Sequence, residues 1–459
     1  MADIKEVDSK AISEPEAIAM LHQLNEDLLP KKFGIRGTLW VILLLIIAGL
    51  GVISYISQLR NGLSITGMGD YVSWGIYISN FVFFVAISLV GSLITAVLYL
   101  LNVPWRAPIT RLAEVIAVAA IMFAGLIIIV DMGRPDRIHH LFLYGRIQSP
   151  IVWDIIVVIT YMTISLLLLY LPLLPGISFC RDRLTNVPKW QKWMYRFLSL
   201  GWKNKPEQYK IVKRSIAILC VLIVPVALSI HTVTSWLFAT TFRPGWDSTN
   251  FGAYFVSGAF MVGAAGVIAG MFILYRFFPR YDQYITKKHF DRMGKLLVLL
   301  SLIYLYFNIN EYLVPSYKMK GEEANYLHEL FSGDYAPMFW SVQIFGMIIP
   351  ICVVIFKKGR KPLPLFIIAS MVIVGAWFKR FLIVIPTMLH PFLPMQELPE
   401  KWKHYMPTLQ EWSITAGSLA GALLVITFFV RYFPIISIWE VAEEKGISHK
   451  VIYEHLNEQ

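Results

Sequence analysis

Residues 109–140 read ITRLAEVIAVAAIMFAGLIIIVDMGRPDRIHH. The run Ile109–Val130 is long enough to cross a bilayer, which takes roughly 20 apolar residues, and it stops at Asp131. A charged loop follows, holding Arg134, Asp136, Arg137, His139 and His140. A second long apolar run, Ile151–Leu171, begins within Pro150-Ile-Val-Trp153-Asp154. The loop is thus pinned at one membrane surface, and Asp154 lies about one turn inside the next helix. Ionisable groups at that depth are costly and mark sites that handle protons or ligands. The competing reading is an interfacial salt-bridge network that only fixes the loop.

The same pattern repeats along the chain. Of 459 residues, 57% are hydrophobic and 15% charged, against about 25% charged in soluble domains. The chain is therefore an all-α polytopic membrane protein. Ten spans are expected, at Gly37–Leu59, Trp74–Leu101, Ile109–Asp131, Ile151–Leu171, Val212–Thr240, Phe251–Phe278, Met293–Leu313, Pro337–Phe356, Leu363–Leu389 and Gln410–Phe433. The net charge of +11 does not point to nucleic acid, because its distribution follows the positive-inside rule. With the N-terminus inside, the inner loops hold most Lys and Arg, including Arg181–Arg214 and the Lys357-Lys358-Gly-Arg360-Lys361 turn. Both termini are then cytoplasmic, the Asp131 loop is on the outer side, and some inner cations are placed to hold anionic lipids.

Residues 1–36 form a polar head with no apolar core of a signal peptide. Ser13-Glu-Pro-Glu16 fits a capping box, and Ala17, Met20, Leu21, Leu24 and Leu28 fall on one helical face. That face is expected on the inner membrane surface or against a partner. Residues 37–73 hold the first span and an outer loop. Trp74-Gly-Ile-Tyr77 pairs with Phe251-Gly-Ala-Tyr254, and Pro150-Ile-Val-Trp153-Asp154 with Pro337-Met-Phe-Trp340-Ser341, at offsets of about 180 residues. These pairs suggest two parallel four-helix bundles, 74–240 and 241–389, with the first and last spans at the periphery. Residues 390–459 add an outer loop, the last span and a cytoplasmic tail.

Polar groups from four consecutive spans converge on the outer third of the first bundle. They are Tyr77, Asn80, Asp131, Arg134, His139, His140, Trp153, Asp154 and His231. A carboxylate and an imidazole there can bind two hydroxyls of an apolar ring and take their protons, which is what quinol oxidation needs. Asp154, His139, His140 and Asp131 are the proton-handling candidates; Arg134, Tyr77, Asn80, Trp153 and His231 are the binding candidates. The second bundle carries Glu311, Lys379 and Arg380 in apolar surroundings. Lys379 and Arg380 must pair or face a cavity, with Glu311 the expected partner, as an ion pair or as part of a proton route. Glu114 near the inner end of its span is either the start of such a route or a snorkelling side chain.

Cys180, Cys220 and Cys352 are isolated, without C-x-x-C, so no iron–sulfur cluster or covalent haem is expected on this chain. A b-type haem needs two axial ligands, and only His231 is clearly inside a span. No metal site is expected, and electrons are expected to pass to a partner subunit.

Asp131-x-Gly-Arg-Pro-Asp-Arg followed by Ser149-Pro150-x-x-Trp153 resembles the hallmark of the NrfD/polysulfide reductase C family of membrane quinone-binding subunits. The polar head, the extra first and last spans and the His pair resemble the NrfD-like subunits of bacterial alternative complex III. That resemblance implies a quinol site in the first bundle near the outer face, formed by Asp131, Arg134, His139, His140 and Asp154. It implies menaquinol as substrate and a place in a bacterial inner membrane. It also implies an outer iron–sulfur subunit, multihaem c-type cytochromes and a second NrfD-like subunit as partners. The alternatives are a secondary transporter, disfavoured by the parallel repeat, and a non-catalytic anchor for redox subunits.

Overall fold

Inside a bilayer a backbone without partner strands satisfies its polar groups only as helix. In the computed structural model the described residues are 14–103, 105–184, 186–393 and 404–447, and every regular element among them is helical. The chain opens with α1 (Glu14–Leu28), followed by α2 (Ile35–Asn61), α3 (Ile76–Leu100), α4 (Ala107–Asp131) and the short α5 (His140–Leu143). Next come α6 (Pro150–Arg183), α7 (Lys189–Leu198), α8 (Pro206–Ala239), α9 (Phe251–Phe277) and α10 (Lys287–Lys318). The last group is α11 (Gly321–Phe331), α12 (Ala336–Gln343), α13 (Ile349–Val354), α14 (Pro362–Leu389), α15 (Leu409–Tyr432) and α16 (Ile438–Glu444). Ten segments are long and apolar enough to cross a membrane: α2, α3, α4, α6, α8, α9, α10, α12 with α13, α14 and α15.

The expected span boundaries hold to a few residues except where a helix continues beyond the apolar slab. The fourth apolar run ends at Leu171, but α6 runs through Pro172 and Pro175 to Arg183. The Pro172 carbonyl is an acceptor for Arg111 at 2.8 Å and for the Trp439 indole at 3.2 Å. Helix α10 likewise extends at both ends of Met293–Leu313.

Helices α3 and α9 form the centre, packed against each other and against α4, α8, α10 and α14. Small residues set these approaches. A Cβ on Gly91 would stand 2.1 Å from the Ala113 carbonyl of α4. In α9, Gly270 faces Leu112 and Ile116 of α4, while Gly258 faces Tyr304 and Arg380. The first and last spans, α2 and α15, pair with one another at Gly51 and Gly417. Outside this pair α2 is largely exposed, as a lipid-facing helix must be.

Helices α1 and α16 pack together, so the chain segments nearest the two termini share one face of the bundle, here the terminal face. The apolar face of α1 is buried inside the chain. Ala17, Leu21, Leu24 and Leu28 join the main core, Asp27 accepts from Gln283 and Tyr284, and Arg280 donates to the Leu29 carbonyl. The amphipathic stripe is therefore an intramolecular seal, not a free membrane or partner surface. Ser13, the expected N-cap, lies outside the described residues.

The α2–α15 contact gives a direct test. A Cβ at Gly51 would lie 2.8 Å from the Gly417 Cα, whereas Gly49 has no heavy atom within 4 Å of its Cβ position. Gly417→Leu should destabilise the chain by about 1–3 kcal/mol in thermal unfolding in nanodiscs, and Gly49→Leu should leave it unchanged.

Candidate functional site

The face opposite the termini carries the polar groups read from the sequence, sorted into three places. In the first, α6 and α8 pack together, and Asp154 is buried between them at 2% exposure. Its Oδ1 accepts a 2.6 Å hydrogen bond from the Thr234 hydroxyl. His231 lies one turn earlier in α8, on the same helical face as Thr234 by its three-residue spacing. It is 3% exposed, and its Nε2 is buried without a partner among the described residues. A buried polar atom without a partner costs about 1–3 kcal/mol, so a native one needs an explanation. The lipid-facing sides of α6 and α8 are apolar, with Ile151, Ile156 and Trp236 exposed.

The second place lies where α3, α4, α2 and α15 meet. The Tyr77 hydroxyl donates to Gln58 Oε1 at 2.7 Å, and Gln58 Nε2 donates to the Val130 carbonyl at 2.9 Å. The Asp131 and Glu411 carboxyls lie near the Tyr77 hydroxyl, and Asp131 Oδ1 is buried without a partner among the described residues. Glu411 is fully buried. It accepts from the Gly67 amide at 2.8 Å, the Thr408 amide at 2.8 Å and the Tyr405 hydroxyl at 2.7 Å. Tyr405, in the preceding loop, also accepts from the Ile76 amide at the start of α3. Burial, then the Glu411 carboxylate, pushes the Tyr405 phenol above its ordinary range. Asn80 is committed to a cross-link: its amide donates to Thr415 and its carbonyl accepts from the Trp377 indole, both at 2.8 Å.

The third place is the exposed loop. Arg134 is bidentate to Asp136 at 3.1 Å, and that hydrogen bond holds the Asp136 carboxyl below the usual carboxylate range. His139 Nδ1 donates to the Asp136 carbonyl at 3.0 Å. The His139 and His140 rings meet edge to face, and Tyr144 covers His140. The Trp153 indole donates to the Ile147 carbonyl, closing the loop onto α6. Of the nine residues expected to converge, Asp154 is buried where α6 and α8 pack together, bonded to Thr234, His231 is buried one turn away on α8 with Arg380 near it, and Tyr77 and Asp131 lie together in a second cluster. Asn80 ties α3 to α14 and α15. Arg134, His139 and His140 stay on the loop, with no hydrogen bond to either cluster among the described residues.

The second half of the chain corrects one expectation. Glu311 and Lys379 form no ion pair among the described residues. Lys379 donates to the Tyr312 hydroxyl at 2.7 Å and sits over the Tyr312 and Phe339 rings. Glu311 accepts from Ser248 at 2.9 Å. An aromatic cage and one phenol touch the Lys379 ammonium directly, cation–π contacts supplying attraction in dry surroundings, and the Glu311 carboxylate acts on it through its field without an ion pair. From Gln343 a run of polar contacts leads through Asn308 and Tyr254 to Tyr304, with Arg380 alongside Gly258 and Tyr304. Near the terminal face, Glu114 is buried beside Arg111, whose guanidinium also bonds the Pro434 carbonyl.

Sequence reasoning missed Gln58, Thr234, Tyr405 and Glu411. One signal was present for Glu411: Thr408-Leu-Gln-Glu411 is a capping box, and both of its reciprocal bonds form.

Residues 64–391 match the family described as "Polysulphide reductase, NrfD". The chain belongs to the NrfD family. It is 27% identical to a selenate reductase subunit of Mesobacillus selenatarsenatis, covering 86% of this chain and 94% of that protein. It is 21% identical to the menaquinone reductase integral membrane subunit of Nitratidesulfovibrio vulgaris, over 86% and 91% of the two chains. It is 23% identical to the Hdr-like menaquinol oxidoreductase integral membrane subunit of Archaeoglobus fulgidus, over 88% and 95%. These relatives are named as subunits of oxidoreductases, and NrfD subunits act within multi-subunit redox complexes. This NrfD protein is a multi-pass integral membrane protein.

Because Glu411 gathers the loop before α3 and the start of α15, Glu411→Ala should cost about 3 kcal/mol or more. Thr415→Ala, which removes one Asn80 bond and the Thr415 hydroxyl's bond to the Glu411 carbonyl, should cost about 1–2 kcal/mol. Thermal unfolding of both variants in nanodiscs checks the order.

Proposed function

We propose that this chain is the quinol-oxidising membrane subunit of a respiratory oxidoreductase, with its quinol site at Asp154, where α6 and α8 pack together. The observation that carries the reading is a buried carboxyl, Asp154, held by Thr234 of α8, with the unpartnered buried nitrogen of His231 one turn away on that helix. A quinol brings two hydroxyl donors and a flat apolar ring. The Asp154 carboxyl can accept one hydroxyl, and His231 Nε2 supplies the second polar contact. Oxidation releases two electrons and two protons per ring. Asp154 takes the two protons in turn and passes each to the charged loop from Asp131 to His140, which lies next to the bulk phase as the exit. The electrons leave to a redox centre in a partner subunit, docked over the exposed loop. Relatives named for menaquinone and menaquinol support a menaquinol substrate and quinone chemistry in either direction.

In this reading the terminal face is cytoplasmic and the quinol face periplasmic, in a bacterial inner membrane. The joint placement of α1 and α16 and the basic loops of that face support it. The partners are an iron–sulfur subunit, multihaem c-type cytochromes and a second NrfD-like subunit, as in alternative complex III, with this chain in the place of ActC. The paired motifs at the starts of α3 and α9 and of α6 and α12 support two parallel four-helix units, spans two to five and six to nine.

Asp154→Asn should lower quinol-dependent reduction of the complex's acceptors about a hundredfold or more, the scale of a lost general base, with subunit content unchanged. His231→Leu should raise the KM for quinol more than it lowers kcat. Unchanged turnover in Asp154→Asn would move the site elsewhere.

A second reading adds proton translocation. The run Gln343–Asn308–Tyr254–Tyr304 leading to Arg380 favours it, with Lys379, Glu311 and Glu114 as further stations. Tyr254→Phe should then lower the protons moved per electron in proteoliposomes while leaving quinol turnover intact; an unchanged ratio assigns the run to packing.

A further inference from the structure

A cavity on the far face lies away from Asp154. It holds about 810 Å³ and opens between α11, the start of α12, the end of α14 and the segment before α15. Its size falls in the range of small-molecule sites, roughly 300–1,000 Å³. Trp377, Phe381, Tyr405 and Trp412 give it flat aromatic walls, and His390 and His404 supply polar contacts. Beside it, a groove of about 750 Å³ runs along the lipid-facing side of α12–α14. Cavity and groove meet at Met338 and Phe378, which line both. One wall of the groove is the π turn Ile344–Ile348, a local irregularity often found at functional sites. There Gly346 lies against Gly375 backbone to backbone, 2.7 Å from where a Gly375 Cβ would stand.

We propose that this cavity and groove form a second binding site for a quinone-class amphiphile, with the ring in the aromatic cavity and the isoprenoid tail in the groove.

The lining chooses between possible occupants. A planar ring stacks on indole and phenyl faces. Glu322, Glu329 and Asp334 also line the cavity, and their field opposes a phosphate headgroup. Burial pushes His390 below the ordinary imidazole range, so at neutral pH it offers one N–H donor and one acceptor nitrogen. That pair matches a quinone carbonyl or a quinol hydroxyl. The groove side is apolar apart from Ser341 and Ser370, and the Ser370 hydroxyl is turned back onto the Phe366 carbonyl at 2.9 Å. None of the residues lining cavity or groove belongs to α6 or α8, so the site does not depend on the reading of Asp154.

The test uses the full-length chain in its complex, in phosphatidylcholine nanodiscs, with a photoreactive naphthoquinone bearing a short prenyl tail. Adduct positions are mapped by peptide mass spectrometry. The expected result is labelling within residues 371–389 and 404–412, competed by an isoprenoid naphthoquinone and retained in Asp154→Asn. Ser341→Trp and Val374→Trp, both at exposed groove positions, should lower that labelling about tenfold, the effect of a bulky side chain lodged in the tail path. Labelling absent from those segments, or displaced by phosphatidylethanolamine or phosphatidylglycerol but not by the naphthoquinone, overturns the proposal. Labelling there without labelling on α6 or α8 would keep this site and remove the one at Asp154.

Discussion

A polar group inside the apolar slab has no water to turn to, and this constraint organises the whole structure. Each buried charge or amide must find its partner within the protein or bear the cost of having none. Asn80 therefore bridges α14 and α15, and Glu411 draws together the Gly67, Thr408 and Tyr405 donors. Lys379 is enclosed by rings and a phenol. These cross-links fix the far ends of α3, α14 and α15, and α3 in turn packs against α8. Atoms left without partners then stand out, and His231 Nε2 and Asp131 Oδ1 are two of them.

The fold was legible because its signals are local. Long apolar runs, the charged stop at Asp131 and the proline at the start of α6 are each readable from neighbouring residues. The departures are physical. The fourth apolar run ends just before Pro172, yet α6 continues beyond it, and donors from α4 and α16 take up the Pro172 carbonyl. The apolar stripe of α1 was readable, but its partner was not, since the stripe meets α16 and the 279–281 turn only through tertiary packing.

The site was legible in part for the same reason. Asp154 announces itself by depth. Gln58 does not, because it sits among other polar residues at the edge of its run, and Glu411 reads only as a capping residue; the α2–α15 pairing brings them to one layer. Glu311 and Lys379 looked like partners because opposite charges invite pairing. Aromatic rings take the direct contacts of Lys379 and leave Glu311 to act at a distance, and a sequence gives no warning of a cage assembled from α9, α10 and α12. The arginines and histidines of the loop share one short segment with Asp131, but most of their bonds stay within that segment. Their exposure suits a surface covered by a partner better than a pocket wall.

The central claim is that the quinol ring sits at Asp154, where α6 and α8 pack together. The most direct measurement is a cryo-EM map of the assembled complex with a tight-binding quinol analogue. The account predicts the ring between these helices, one oxygen about 3 Å from the Asp154 carboxyl, within ordinary hydrogen-bond reach, and the other facing His231. A ring bound elsewhere, with the Asp154–Thr234 bond intact, would contradict it.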